Sequence, residues 1–210
     1  MGTATNKWGD IGDLDVSGVK DFSYALSKHR NQAGSYVSGG NPKAVTFVGD
    51  ISKWNTASAT SLLSTFGGAS EMNADLTGWK VGKVVTLRYT FIGASKFAGT
   101  GLNLWDTASA TSLYFTFSGA SEMNADLTGW KVGKVVTLEK TFRKASKFVG
   151  TGVSFWDVAK VADMTGTFFA TSLTTCNKRK IADAWKSSAV FVATDYDTDW
   201  AADTCPVRFE

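Results

Sequence analysis

The chain has 210 residues, with 21 Gly but only 2 Pro, 8 Trp, 14 Phe, one His, two Cys and a formal charge of +3. Its length allows one domain, or at most two small ones, with a core able to fold unaided, and 43% apolar with 20% charged residues excludes disordered, collagen-like and disulfide-scaffold classes. A surplus of three positive charges is too small to imply a nucleic-acid or membrane partner, and no apolar run approaches the roughly 18 residues that span a bilayer.

Residues 1–8 read as an N-terminal tail without the apolar stretch of a secretory signal. From Gly9 the chain repeats. Trp54, Trp79, Trp105, Trp130 and Trp156 recur at spacings of 25, 26, 25 and 26, and twelve residues after each stands Phe66, Phe91, Phe117, Phe142 or Phe168. Leu62, Leu87, Leu113, Leu138 and Met164 keep a third register. A divergent first unit fits the frame with Ile11, Leu14, Phe22 and Leu26, then carries an insertion at 27–46 before Phe47 rejoins the pattern. That makes six units over residues 9–173.

A unit of this size cannot bury its apolar side alone, so stacking must make the core continuous and places the Trp and Phe ladders inside it. Within a unit Leu76-x-x-Trp79-x-Val81 predicts a short strand. The segment from Thr86 predicts a helix or tight helical turn with Leu87, Phe91 and Ala94 on one face. After Ser172 the periodicity stops, and residues 174–210 read as a terminal cap. It contains a helix over Lys178 to Ser187 with Ile181, Ala184 and Trp185 inward, then a polar loop around Tyr196 and Trp200. Cys176 and Cys205 bracket this cap. Their spacing points to a staple and an oxidising compartment, with a reduced pair as the alternative.

The unit Leu76-x-x-Trp79-x-Val81-x-x-Val84-x-x-Leu87-x-x-x-Phe91-x-x-Ala94-x-x-Phe97 resembles the BspA-like leucine-rich repeats, in particular the 26-residue repeats of bacterial surface proteins. The likeness stands most openly at Trp156-Asp157-Val158 with Val161, Asp163-Met164 and Phe168. The resemblance implies an α/β fold: a right-handed, leucine-rich-repeat-like solenoid of about six units with a C-terminal helical cap. It also implies recognition or adhesion at an extracellular or cell-surface location, and it carries over no catalytic residue.

The sharpest signal is internal. Residues 56–101 match residues 107–152 with eight differences in 46 positions, and seven of the eight fall nine, ten, thirteen or fourteen residues after the Trp. At 100° per residue these positions lie opposite the core positions of the expected helix. Other expected surface positions have not drifted: Glu71/Glu122, Lys80/Lys131, Lys83/Lys134 and Lys96/Lys147 are identical pairs. The variable stripe carries apolar candidates Leu63, Tyr89, Ile92, Tyr114, Phe115 and Phe169. Its polar candidates are Ser64, Arg88, Glu139, Lys140, Arg143 and Lys144. Aromatic and Arg residues are the types enriched at interface hot spots. The pattern therefore predicts a protein-binding face on a constant scaffold, or a self-associating or adhesive surface protein as the alternative. Two histories give such a pattern, a naturally diversified surface receptor or a library built on consensus repeats, and the short start without a signal leans toward the second or a trimmed chain.

Competing readings are weaker. The series Asn55, Lys80, Asp106, Lys131 and Asp157 is a ladder of opposite charges that satisfies itself. Thr65, Thr90, Thr116, Thr141 and Thr167 form a ladder that would suit an ice-binding surface if exposed, but each precedes a core Phe, where its hydroxyl bonds to backbone instead. His29, beside Arg30, is the only imidazole, which leaves no zinc site or triad to build on. The Gly-Thr-Gly pieces at 99–101 and 150–152 lack a phosphate loop's Lys, and Asp195, Asp197 and Asp199 lack the Gly and distal Glu of an EF-hand. No enzyme, cofactor or metal is expected.

Overall fold

The computed structural model describes residues 10–205. The expected tail at 1–8 and the last five residues of the expected cap lie outside the described residues.

Neighbouring units are joined by main-chain hydrogen bonds in a fixed register. In the second unit the N–H groups of Leu62, Ser64, Phe66 and Gly68 donate to the carbonyls of Thr86, Arg88, Thr90 and Ile92 at 2.7–3.2 Å. The alternate N–H groups stay within the unit, Thr65 to Leu62, Gly67 to Ser64 and Ala69 to Phe66. The same four bonds recur at each of the later junctions, ending with Leu138, Lys140, Phe142 and Lys144 donating to Asp163, Thr165, Thr167 and Phe169. Inter-unit and intra-unit bonds together satisfy this backbone, as burial demands.

This alternation is why the regular elements expected inside a unit do not form. A helix needs consecutive N–H groups to reach back four residues, and here every second one is drawn to the neighbouring unit. The segment 88–93 is a run of turns, and 76–81 is not a strand. Parallel pairing is instead confined to single residues, Asp21 to Ser61, Ser61 to Thr86, Thr86 to Ser112, and Thr137 to Asp163. Leu87, Phe91 and Ala94 still face the core and are fully buried, so the apolar register holds although the helix does not.

The rings stack across units. Phe66, Phe91, Phe117, Phe142 and Phe168 form a column with centroids 5.4–5.8 Å apart and planes within 10° of parallel. Trp105, Trp130 and Trp156 stack beside it at 6.2 Å. The indole N–H groups of Trp54, Trp79, Trp130 and Trp156 donate to the carbonyls of Ile11, Ile51, Leu102 and Leu127 in the preceding unit. Each ladder Thr is fully buried, and its hydroxyl donates to backbone of the preceding unit, as Thr90 does to Leu62 at 2.9 Å. A ladder hidden in this way cannot order surface water.

The alternating 25- and 26-residue spacing has a local cause. Met72 and Met123 precede the next Trp by seven residues, whereas Phe97 and Phe148 precede it by eight. The extra residue lies in the Gly-Thr-Gly turns, where Gly101 and Gly152 take φ values of 90° and 87°. Where those glycines are missing, Asp50, Asp75 or Asp126 stands instead and accepts the N–H of the residue two further on. Hydrogen bonds from the hydroxyl and the N–H of that Ser or Thr hold the three carboxyls below their usual pKa.

The cap completes the Phe column. Helix α1 (Thr175–Trp185) starts at Thr174, whose hydroxyl accepts the Asn177 N–H, and is followed by α2 (Ala189–Val192) and α3 (Asp195–Trp200). Trp185, Tyr196 and Trp200 place their rings 5.5–6.0 Å from Phe168, and the Tyr196 hydroxyl accepts the Phe168 N–H that has no further unit to pair with. Two expectations need correction here. Ala182, not Ala184, faces inward beside Ile181 and Trp185, and Trp200 is a buried helical residue instead of part of a polar loop. Cys176 and Cys205 are joined as a disulfide. At the other end, the insertion bends back on the first unit, with Arg30 donating to the Ala25 carbonyl, and closes on itself, with Asn41 donating to that of Ser27. His29 stacks on Tyr36, and burial lowers its pKa.

A candidate recognition surface

The stripe is built by backbone twist. The residues ten and fourteen after each Trp take positive φ, so the chain turns left-handed twice per unit around the buried Thr-Phe pair. Glycine fills several of these places, but Ser64, Tyr89, Phe115, Lys140, Lys144 and Ala170 hold side chains there at φ 51–60°. Each costs about 1 kcal/mol relative to glycine, and such cost persists where the surrounding structure or a function holds it. Three of the eight variable pairs, 64/115, 89/140 and 93/144, fall on these positive-φ positions.

Across four units the side chains meet. Tyr89 and Tyr114 pack edge to face at 5.1 Å, Tyr114 and Phe115 lie 4.6 Å apart, and Tyr89 and Phe115 5.5 Å apart. The Arg88 guanidinium covers the Tyr114 ring at 5.0 Å and approaches Tyr89 at 5.9 Å. Lys140 sits 5.0 Å from the centre of Phe115 while pairing with Glu139 at 2.8 Å, and Arg143 lies 5.5 Å from that of Phe169. These cation–ring contacts fix long side chains that would otherwise sweep solvent. Burial is the main reason that the pKa of the Tyr89 hydroxyl is raised, so the phenol stays neutral.

The structure thus brings together Arg88, Tyr89, Tyr114, Phe115, Glu139 and Lys140, with Arg143 and Phe169 continuing the line. Phe169 is 56% exposed and Lys144 is exposed at the outer edge. Leu63 and Ile92 are half-buried at the other flank. Ser64 does not belong to the surface. It is 4% exposed because its side chain folds over Gly67, where an added Cβ would lie 2.3 Å from its hydroxyl. Apolar periodicity does not reveal the positive-φ positions. Their signal in the sequence is the recurrence of glycine at 68, 93 and 119.

The undrifted residues are on the surface too: Glu71, Lys80, Lys83, Lys96 and their copies Lys131, Lys134 and Lys147 are exposed, and Glu122 is half-buried. Of the expected charge ladder, Lys131 pairs with Asp106 at 3.5 Å.

Lys144→Gly isolates the strain. The sister unit has Gly93 at the same turn, with φ 67°, so removing the side chain should raise unfolding free energy by up to about 1 kcal/mol in urea denaturation. A loss of stability would show that the packing of the lysine stem outweighs the strain of the turn.

Among the described residues no group of three or more His, Cys, Asp or Glu is placed to hold a metal ion, and no helix is long and apolar enough to cross a membrane. The family described as "Mycoplasma protein of unknown function, DUF285" matches residues 2–101 and, in a second overlapping pass, residues 65–185. Two passes over one chain mark it as a repeat protein. No curated protein and no solved structure matches it.

Proposed function

The chain belongs to this DUF285 repeat family, and from that premise we propose that it is a non-enzymatic module that recognises another protein through the stripe running from Arg88 to Phe169. The reading is carried by one observation: most of the positions that differ across an otherwise near-identical duplication converge on one cluster of aromatic rings and cations. Free drift would scatter the differences over all exposed positions, including the undrifted lysines. Rings held by neighbouring cations and by main-chain rungs lose little freedom on binding, which limits the ordering cost.

A right-handed, leucine-rich-repeat-like solenoid and a place among BspA-like surface proteins are parts of the same proposal. They are supported by the repeat register and by the unit-to-unit hydrogen bonding, and an extracellular location by the disulfide of the cap.

The test is a selection from a displayed random-peptide library on the full chain. The triple variant Tyr89→Ala, Tyr114→Ala, Phe115→Ala serves as control. The expected result is a set of peptides that bind the parent saturably at micromolar concentration, about −8 kcal/mol, and lose at least about tenfold on the variant. The variant should keep its unfolding transition, since all three rings lie outside the buried columns. A selection in which every binder ignores the triple substitution overturns the reading. Self-association is the second outcome, read from sedimentation of the parent over a range of concentrations.

A further inference from the structure

Resting on that reading, we infer that the partner offers an acidic, extended or loop segment whose carboxylates meet Arg88, Arg143 and Lys144. The stripe carries Arg88, Lys140, Arg143 and Lys144 against Glu139 and the adjacent Asp163, a surplus of two out of the chain's formal +3. The rest of the molecule carries one net positive charge, so most of a modest net charge is concentrated on one face. Lys140 is already neutralised by Glu139. None of the ion pairs among the described residues uses Arg88, Arg143 or Lys144, and these three are the cations left for a partner.

Ring geometry decides between anionic partners. A sugar or a nucleic-acid base would stack on a flat, open aromatic face. Here the rings of Tyr89, Tyr114 and Phe115 are tilted against one another by 88°, 54° and 40°, with Arg88 over Tyr114, Lys140 over Phe115 and Arg143 over the neighbouring Phe169. The guanidiniums of Arg88 and Arg143 are held against these rings, and neither enters an ion pair among the described residues. A planar fork so fixed matches a carboxylate, which accepts two parallel N–H bonds. Acidic side chains on a peptide therefore fit this surface, and a stacking ligand does not.

The probe is a fluorescent polyglutamate peptide, titrated by anisotropy against the full chain at low and high salt. Saturable binding that weakens with salt is expected, together with a loss of about tenfold or more in Arg88→Gln, Arg143→Gln, Lys144→Gln. A charge-matched control, Lys83→Gln, Lys134→Gln, Lys160→Gln, removes three exposed cations away from the stripe and should bind as the parent does. Equal losses in both variants would reduce the effect to net charge and overturn the inference. So would stripe-dependent binding of a heparin fragment with none of polyglutamate. Should the triple variant prove misfolded by its unfolding transition, the exposed Arg88→Gln and Lys144→Gln singles carry the same comparison. The peptide selection keeps the two proposals apart. Stripe-dependent peptides without acidic residues would leave protein recognition standing and sink the acidic partner, whereas binders that all ignore the stripe would sink the recognition reading itself.

Discussion

Phe117→Ala is expected to cost about 3–5 kcal/mol and to lower the melting temperature by on the order of 10 °C. The ring is fully buried at the middle of the column, 5.4 Å from Phe91, 5.6 Å from Phe142 and 5.8 Å from Trp130. Removal leaves a cavity bounded by three other rings, none of which can shift inward without leaving its own stack. The main-chain rungs resist collapse as well, since the Phe117 N–H donates to Thr141 while its carbonyl accepts from Ala120. Stacked pairs add about 0.5–1.5 kcal/mol each beyond the area they bury. In a protein whose units contact only their neighbours, such a defect also weakens coupling between the two halves. Calorimetry should then show a broader transition, and Phe117→Leu should recover part of the loss. A cost below about 1 kcal/mol would mean that the column is not a continuous core.

What the sequence makes legible is the register, and the reason is physical. Burial acts on side chains, so the positions of Trp79, Leu87, Phe91 and Ala94 reveal which residues face inward whatever backbone carries them. Backbone conformation is not legible because a spacing of four apolar residues suits a helix equally well. The same spacing arises here from two left-handed turns around Thr90 and Phe91, with hydrogen bonds leaving for the next unit. Ser64 fails as a surface residue for a local reason: its short side chain folds over Gly67, whereas Phe115 at the copy of that position is only half-buried. Most of the stripe survives because the residues nine, ten, thirteen and fourteen after each Trp flank the inward Thr-Phe pair in either backbone, though Ser64, Gly67 and Ser118 are buried. In the cap, Asp195, Asp197 and Asp199 precede Trp200 and give that stretch the look of a loop. The capping helix buries only one side of that run, against Phe168 and Phe191.

Gly152→Ala should be among the most damaging single-methyl additions in the chain, on the order of 4 kcal/mol, and Gly93→Ala shows why. Both glycines have positive φ, 87° and 67°, so both substitutions carry the left-handed cost of about 1–2 kcal/mol. They differ in what the new Cβ would meet. At Gly93 the nearest atom is the Gly68 Cα at 3.6 Å, an ordinary contact, and the copy of that position accommodates Lys144 at φ 60°. At Gly152 the Cβ would lie 2.1 Å from the Thr128 nitrogen and 2.5 Å from the Leu127 carbonyl carbon, which are backbone and cannot rotate away. Those atoms are held from both sides: the Leu127 N–H donates to Thr151, and its carbonyl accepts from Trp130 and from the Trp156 indole. Relief therefore requires two units to part at the edge of the Trp stack, adding roughly 1–3 kcal/mol of overpacking to the turn's strain. Gly101 stands in the same relation to Leu76 and Thr77, so Gly101→Ala should behave alike. Urea denaturation of the three variants should separate one mild substitution from two severe ones. Equal costs at Gly93 and Gly152 would refute the close approach of units at the Gly-Thr-Gly turn, and with it the explanation of the 25- and 26-residue alternation.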